Sequence, residues 1–188
     1  IFVSGINLFI LISISTFCVI ILLYITFYVP KFEYIKNRLL SFFFFFSGTN
    51  NFQSDKALES ISCGGFFGKG LGEGKLKNRV PEAHTDYIIS VISEEFGVIV
   101  IMLILVLFLV FIFSIFKKVE KESNNTVRLI LIGSSSLILL QAMIHIGVNI
   151  RLFPTTGMTL PFLSYGGSSI ISVSILSGII LNLTKRKV

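Results

Sequence analysis

Long uncharged runs of apolar residues dominate the chain and alternate with shorter charged segments. A helix needs roughly 20 apolar residues to cross the hydrocarbon core of a bilayer. Four runs come close to that length, so the pattern predicts membrane spans at about residues 6–29, 88–116, 129–150 and 166–184. We therefore expect an all-α integral membrane protein whose four transmembrane helices belong to one polytopic bundle, with residues 1–188 forming a single membrane domain.

The segment between the first two spans, residues 30–86, is long for a connection without regular structure, and such connections are usually functional. Its first part places basic residues beside the run at 42–46, which predicts an interfacial helix or an apolar stretch packed on the bundle. The orientation of the chain in the membrane follows from the short basic loop between the second and third spans and from the basic C-terminal tail, since basic residues mark cytoplasmic ends. We expect a cytoplasmic C-terminus and an external loop at 30–86.

The composition agrees with a membrane protein, with 53% hydrophobic residues, 14% charged residues and a mean hydropathy of +0.88. A formal charge of +6 would suggest nucleic acid in a soluble protein. In a membrane protein it more often marks cytoplasmic edges or contacts with anionic lipid, so we expect no nucleic acid partner. The two cysteines form no metal or disulfide pattern, which excludes redox chemistry. Because the chain begins at Ile1, we expect a fragment.

Six glycines lie within residues 64–74: Gly64, Gly65, Gly68, Gly70, Gly72 and Gly74. This density predicts turns with positive φ or a close approach of the backbone to another group. The spacing fits neither the dinucleotide-binding pattern nor the P-loop. Beside Lys69, Lys75, Lys77 and Arg79 the segment can still hold a pyrophosphate through backbone N–H groups and charge. A flexible loop with solvated lysines is the alternative.

The sequence PEAHTD, residues 81–86, directly precedes an apolar helix. Thr85 or Asp86 suits the N-cap of that helix. The same Asp86 carboxylate can act as a general base at the membrane surface, with His84 beside it. Asp86, Ser90 and Glu94 share one helix face. Eight residues of helix separate the two carboxylates by about 12 Å, more than the roughly 5 to 9.5 Å of glycosidase pairs, so we do not predict a hydrolase.

The third span carries Gln141, His145 and Asn149 at four-residue spacing, which makes a polar stripe inside the membrane. Interhelical hydrogen bonding is one interpretation, and a proton relay is the other. The following segment, residues 154–169, contains two prolines and three glycines. Such irregular backbone is tolerated at membrane depth only where it is buried or lines a cavity. The segment is therefore predicted to form the wall of a site or a bent helix entrance.

Four segments together resemble the SEDS (shape, elongation, division, sporulation) family of bacterial cell-wall polymerases. They are GGFFGKGLG (64–72), PEAHTD (81–86), EEFG (94–97) and PTTGMTLPFLSYGGSS (154–169). The form of the last segment, with Gln53 and Glu59 ahead of the glycines, is most similar to the cell-division branch. The resemblance implies a bundle of about ten membrane helices in the full-length family, of which this chain resembles the C-terminal part.

The family joins lipid II, an undecaprenyl-pyrophosphate disaccharide-pentapeptide, into glycan strands, so the resemblance implies a peptidoglycan glycosyltransferase. Asp86 matches the family's essential aspartate and is the expected general base. The expected substrate-binding residues are His84, Thr85, Glu94, Lys69, Lys75, Arg79, Tyr165 and Ser168. The leaving pyrophosphate needs positive charge, from a divalent cation such as Mg²⁺ or from basic side chains. No other cofactor is expected.

The resemblance also implies a place in the bacterial cytoplasmic membrane at the division septum, with a class B penicillin-binding transpeptidase and other division proteins as partners. Because the family's N-terminal helices also line its cavity, we expect the 188-residue chain alone to be inactive. Two other interpretations remain open at this point. A flippase for a lipid-linked precursor would also use polar membrane helices and a broken segment, and a noncatalytic scaffold would only recruit a synthase.

Overall fold

The computed structural model describes residues 7–44, 52–80 and 83–185, and this part of the chain is helical, with turns and loops but no strand. The predicted residues Pro81, Glu82, Arg186 and Lys187 and the side chain of Lys77 lie outside the described residues. The α-helices are α1 (Leu8–Tyr28), α2 (Glu33–Phe44), α3 (Phe52–Gly64), α4 (Leu76–Arg79), α5 (Ile88–Phe96), α6 (Val98–Lys121), α7 (Asn125–Asn149) and α8 (Gly167–Lys185).

Four of these helices, α1, α6, α7 and α8, are long and apolar enough to cross a membrane, which confirms the predicted number of spans among the described residues. The segment predicted as one span over 88–116 is divided in the structure. Gly97, with φ of 82°, ends α5 and precedes α6. The apolar pattern did not reveal this break, because a glycine within an apolar run leaves the hydropathy almost unchanged.

The chain divides into two compact units, residues 1–51 and 52–188. In the first unit, Pro30 follows the end of α1 and begins a short 3₁₀-helix, Pro30–Phe32, that leads into α2. Proline suits a first helical position because its missing N–H has no intrahelical partner there. The Lys36 ammonium lies 5.7 Å from the centre of the Phe27 ring, a cation–π contact between α2 and α1. The interfacial location of α2 stays a prediction.

The second unit contains α3 to α8. Helix α7 packs against both α6 and α8, and α3 packs along α5. One core cluster lies between α3, the α4 segment and the end of α7, and it contains Ala57, Leu76, Val80, Ala83, Tyr87 and Val148. A second cluster joins α6, α7 and α8 through Ile115, Val119, Leu131, Ile138 and Ile180. The residues on either side of Asp86 are therefore packed into an apolar core cluster.

The glycine cluster lies directly on the C-terminal end of α5. A Cβ on Gly64 would stand 2.0 Å from the carbonyl oxygen of Ser93, and one on Gly68 would stand 2.2 Å from that of Glu95. At the same place, a Cβ on Gly97 would stand 2.1 Å from the carbonyl oxygen of Phe66. The predicted close approach is thus confirmed, and the approached group is the backbone of this chain itself.

We expect Gly68→Ala to destabilise the protein by about 2 kcal/mol or more, because the new methyl meets a carbonyl and φ is positive. Gly133→Ala is the matched control, since nothing lies within 4 Å of a Cβ there. In a helix interior it should stabilise by about 0.5 to 1 kcal/mol. Thermal unfolding of the purified variants in detergent measures both. Equal melting temperatures would contradict the close packing.

Candidate functional site

Asn149, the last residue of α7, is fully buried (0% exposed) and its amide joins three parts of the chain. Its Nδ2 group donates to the carbonyl of Asp86 (3.1 Å) and to that of His145 (2.9 Å). Its Oδ1 accepts from both the backbone N–H (3.2 Å) and the hydroxyl (2.8 Å) of Ser90. The main chain of Asp86 is therefore held at the junction of α5 and α7.

The other two members of the polar stripe hold the segment that follows α7. His145 Nδ1 lies 2.7 Å from the carbonyl oxygen of Met158, and since a carbonyl only accepts, Nδ1 carries the hydrogen. Gln141 Nε2 donates to the carbonyl of Thr159 (2.9 Å) and to the Ser169 hydroxyl (3.1 Å). The polar stripe thus forms hydrogen bonds to neighbouring elements, in agreement with the interpretation of the stripe as hydrogen-bonding residues. His145 Nε2 is buried without a partner among the described residues.

Residues 157–165 close over the turn that carries Asp86. The Ser164 hydroxyl donates to the carbonyl of Thr85 (2.8 Å) and accepts from the Leu160 N–H (2.8 Å). Tyr165 N–H donates to the carbonyl of His84 (3.3 Å), and the two rings lie 5.9 Å apart. This backbone pairing brings four predicted site residues together: His84, Thr85, Asp86 and Tyr165.

Gly157 lies beside the Asp86 carboxylate. A Cβ added to this glycine would stand 3.7 Å from Asp86 Oδ2, and its φ of +71° is one that other residues rarely adopt. The Asp86 side chain is half-buried, while those of His84 and Tyr165 are exposed. The carboxylate is thus half-buried on a turn whose main chain is fixed by hydrogen bonds, and a carboxylate held in this way can act as a general base.

The predicted capping role of Thr85 or Asp86 is wrong. Helix α5 begins at Ile88, so Tyr87 occupies the N-cap position, and its side chain makes no capping hydrogen bond. The reason is that residues 83–87 form turns whose carbonyls bond to Asn149, Ser164 and the Tyr165 N–H. These long-range bonds delay the start of the helix.

Glu94 lies in a second group, at the other end of α5. Its carboxylate is buried (3% exposed) and accepts from the backbone N–H groups of Lys75 (3.0 Å) and Leu76 (2.9 Å) and from Lys69 Nζ (3.1 Å). Burial by itself raises the pKa of the Glu94 carboxyl, but these hydrogen bonds outweigh burial and hold the pKa below its usual range. Glu94 therefore ties the glycine-rich segment to α5 as an anion.

This arrangement corrects the predicted pyrophosphate cradle. The N–H groups of Lys75 and Leu76 bond to Glu94, and those of Lys69 and Gly70 bond to the carbonyls of Glu94 and Glu95. The N–H of Gly68 bonds to the carbonyl of Gly64. These five donors are already used within the chain, so they do not form a cradle for an anion.

A cavity of about 200 Å³ opens beside Glu94. Its lining brings together the predicted cations Lys69, Lys75 and Arg79 and adds Lys56. Lys56 pairs with Glu59, and the pKa of the Glu59 carboxyl is lowered by Lys56, with smaller effects from Arg79 and Lys69. Four cations against the two carboxylates Glu59 and Glu94 leave the lining positive.

Sequence reasoning missed Lys56, Ser164 and Gly157. Lys56, Glu59, Ser60 and Cys63 recur at helical spacing on α3, and this signal could have identified one wall of the cavity. Ser168 is exposed in the first turn of α8, and the hydroxyl in the hydrogen-bond network is that of its neighbour Ser169. Among the described residues no group of three or more His, Cys, Asp and Glu side chains could hold a metal ion.

A family model described as a cell cycle protein, of the FtsW, RodA and SpoVE type, matches residues 1–188. A relative in Enterococcus hirae, named as a probable peptidoglycan glycosyltransferase FtsW, is 42% identical over 138 residues, which are 73% of this chain and 35% of the relative. The protein of the same name in Bacillus subtilis (strain 168) is 37% identical over 142 residues, or 75% of this chain and 35% of the relative.

A solved chain of a peptidoglycan synthase complex, in which polymerization and crosslinking are coordinated, matches the fold with a TM-score of 0.68. It is 26% identical in sequence, and the match covers 92% of this chain and 47% of that chain. This chain spans about a third of the curated relatives in Enterococcus and Bacillus.

We expect Asn149→Leu to destabilise the protein by about 2 to 4 kcal/mol, because it removes the buried amide's hydrogen bonds to the Asp86 and His145 carbonyls and from Ser90. Ser90→Ala removes a single hydroxyl and should cost less. In the double variant the effects should not add, since each single variant already removes the hydrogen bond between the Ser90 hydroxyl and Asn149. Melting temperatures of the three variants test this, and strict additivity would contradict the coupling.

The lowered pKa of Glu94 predicts a pH dependence of stability. A carboxyl whose pKa is lower in the folded state stabilises above its unfolded pKa, about 4.3, and that contribution is lost as pH falls through the folded pKa. Glu94→Gln should therefore show a smaller loss of melting temperature on acidification than the wild type. Glu73→Gln, at an exposed carboxyl of the same segment, should follow the wild type. Identical curves for Glu94→Gln and wild type would refute the assignment.

Proposed function

The chain belongs to the FtsW/RodA/SpoVE family of cell cycle proteins, the SEDS family, and from this we propose that the protein carrying it is a peptidoglycan glycosyltransferase. In this proposal it polymerises lipid II into glycan strands during septal wall synthesis in cell division. The names of the Enterococcus hirae and Bacillus subtilis relatives support the proposal. The observation that carries it is the half-buried Asp86 carboxylate, held beside Gly157 on a turn that other elements fix.

Asp86 acts in this proposal as the general base. It takes the proton from the acceptor sugar hydroxyl, and the hydroxyl oxygen then attacks the anomeric carbon of the lipid-linked donor. The bond from that carbon to the pyrophosphate oxygen breaks, and the lipid pyrophosphate leaves with the electron pair. Asn149 holds the Asp86 main chain, so the base keeps its position while the proton moves.

The exposed rings of His84 and Tyr165 lie 5.9 Å apart beside the Asp86 turn and are proposed to contact the sugars. Thr85 is proposed to set the shape of the turn through its carbonyl, which accepts from Ser164. Ser168, exposed at the start of α8, is proposed to line the same approach. These roles extend the resemblance onto residues that lie together in the fold.

Lys69, Lys75 and Arg79 are proposed to stabilise the charge of the pyrophosphate from the cavity at the other end of α5. Positive charge at a leaving group that gains negative charge lowers the barrier. Glu94 contributes indirectly, since it holds Lys69 and the start of α4. Mg²⁺ usually keeps several waters and binds through one or two carboxylates plus substrate phosphates, so it fits here only as an ion carried mainly by the substrate.

The whole protein is proposed to work with a crosslinking partner, a class B penicillin-binding transpeptidase. The similar solved chain belongs to a complex that coordinates polymerization with crosslinking, which supports this. We propose that the Asp86 side faces outward and that the C-terminus is cytoplasmic. Because this chain spans 35% of its Enterococcus relative, the activity is proposed for the full-length protein, and the 188-residue chain alone is proposed to be inactive.

The test is a polymerisation assay with the full-length protein and its partner in vesicles that contain lipid II. Asp86→Asn, which keeps the shape of the side chain, should lower the rate about a hundredfold to ten-thousandfold. Asp55→Asn is the control, because Asp55 is exposed on α3 and pairs with Arg151, and it should retain activity. Undiminished polymerisation by Asp86→Asn would refute the assignment of Asp86 as the general base. Movement of lipid II across the vesicles without polymer would favour a flippase.

A further inference from the structure

The glycine-rich segment exposes three large apolar side chains within six residues. Phe66, Phe67 and Leu71 are 74%, 83% and 79% exposed, and we refer to these three residues as the apolar tip. Isolated exposed apolar residues are common on protein surfaces, but a clustered patch marks a surface that contacts something. We therefore expect the apolar tip to contact another apolar surface.

The backbone of this segment is fixed to the junction between α5 and α6. Val98 N–H donates to the carbonyl of Gly65 (3.0 Å), and Gly70 N–H donates to that of Glu95 (3.0 Å). The backbone at Gly97 also lies directly against that of Phe66, since a Cβ on Gly97 would stand 2.1 Å from the Phe66 carbonyl oxygen. The apolar tip is consequently held at one level relative to the first residue of α6.

That level is a membrane boundary. Helix α6 is a membrane span that begins at Val98, so the backbone bonded to Val98 lies where hydrocarbon gives way to headgroups. The exposed apolar surface of α6 starts at the same point, with Ile99, Met102 and Leu103. The apolar tip is thus adjacent in depth to a surface that faces lipid tails.

We propose that the apolar tip inserts into the lipid leaflet at this end of α6 and anchors the glycine-rich segment there. Aromatic side chains are favoured at this depth. Lys69 lies between Phe67 and Leu71 in the sequence and Lys75 follows four residues after Leu71, and both are exposed residues of the kind that suits headgroup phosphates. The anchor rests on the membrane span of α6 and not on the proposed enzymatic activity.

The anchor has a consequence for the cavity. Glu94 connects Lys69 and the start of α4 to α5, so the tip and the cation-lined cavity belong to one rigid unit. Insertion of the tip sets the height of these cations relative to the headgroups. If the proposed function holds, this is also the height at which a lipid-linked pyrophosphate travels.

The experiment places the photoreactive residue p-benzoylphenylalanine at Phe67, and separately at Leu71, in the full-length protein in phosphatidylethanolamine and phosphatidylglycerol vesicles. After irradiation, mass spectrometry identifies the adducts. Leu107, 60% exposed within α6, is the positive control for lipid contact. The photoreactive residue in place of Glu73, an exposed residue of the same segment, is the control for a position in contact with water. We expect lipid adducts at Phe67 and Leu71 near the Leu107 level and several-fold above the Glu73 level.

Adducts to another protein segment or to a partner chain at both positions would overturn the proposal, as would yields at the Glu73 level. Two independent positions keep the test decisive if one variant does not fold. The readout does not depend on glycan synthesis. A protein that forms lipid adducts without polymerising lipid II would refute the proposed function alone, and one that polymerises without lipid adducts would refute the anchor alone.

Discussion

The side-chain amide of Asn149 makes the hydrogen bonds on which the position of the Asp86 turn depends. A buried amide has two donor hydrogens and an acceptor oxygen, and leaving any of them unpaired is costly. Here both hydrogens and the oxygen are used, and the partners come from the Asp86 turn, α5 and α7. The position of the Asp86 main chain is therefore set by a hydrogen bond from Asn149.

Helix α5 connects two groups with different electrostatic character. Asp86 lies on the turn before its first residue, and the Asp86 carboxylate is half-buried beside Gly157. Glu94 lies near its end, and the Glu94 carboxylate accepts hydrogen bonds from two backbone N–H groups and from Lys69. The two carboxylates differ in accessibility, since Asp86 is half-buried and Glu94 is only 3% exposed.

Much of this fold could be predicted from apolar run lengths, because membrane spans depend on local composition. The break at Gly97 could not, because it arises from the carbonyl of Phe66 lying against that glycine. The capping error had a similar origin, since bonds from Asn149 and Ser164 reach the Asp86 turn across 63 and 79 residues. Glycine density did predict close approach, but the approached group is known only once the segment is packed. Contacts between distant residues were the part that local pattern does not encode.

The use of the backbone donors in the glycine-rich segment changes how an anion can bind there. In a phosphate-binding loop, free N–H groups point at the ligand and glycines let it approach. In this chain the glycines let α5 approach, and the Glu94 carboxylate takes the N–H pair of Lys75 and Leu76 that a phosphate would otherwise use. The segment thus carries its own internal anion. A phosphate group in the adjacent cavity would have to bind without these two donors, and the cationic side chains of the lining would then supply charge more than a fixed shape.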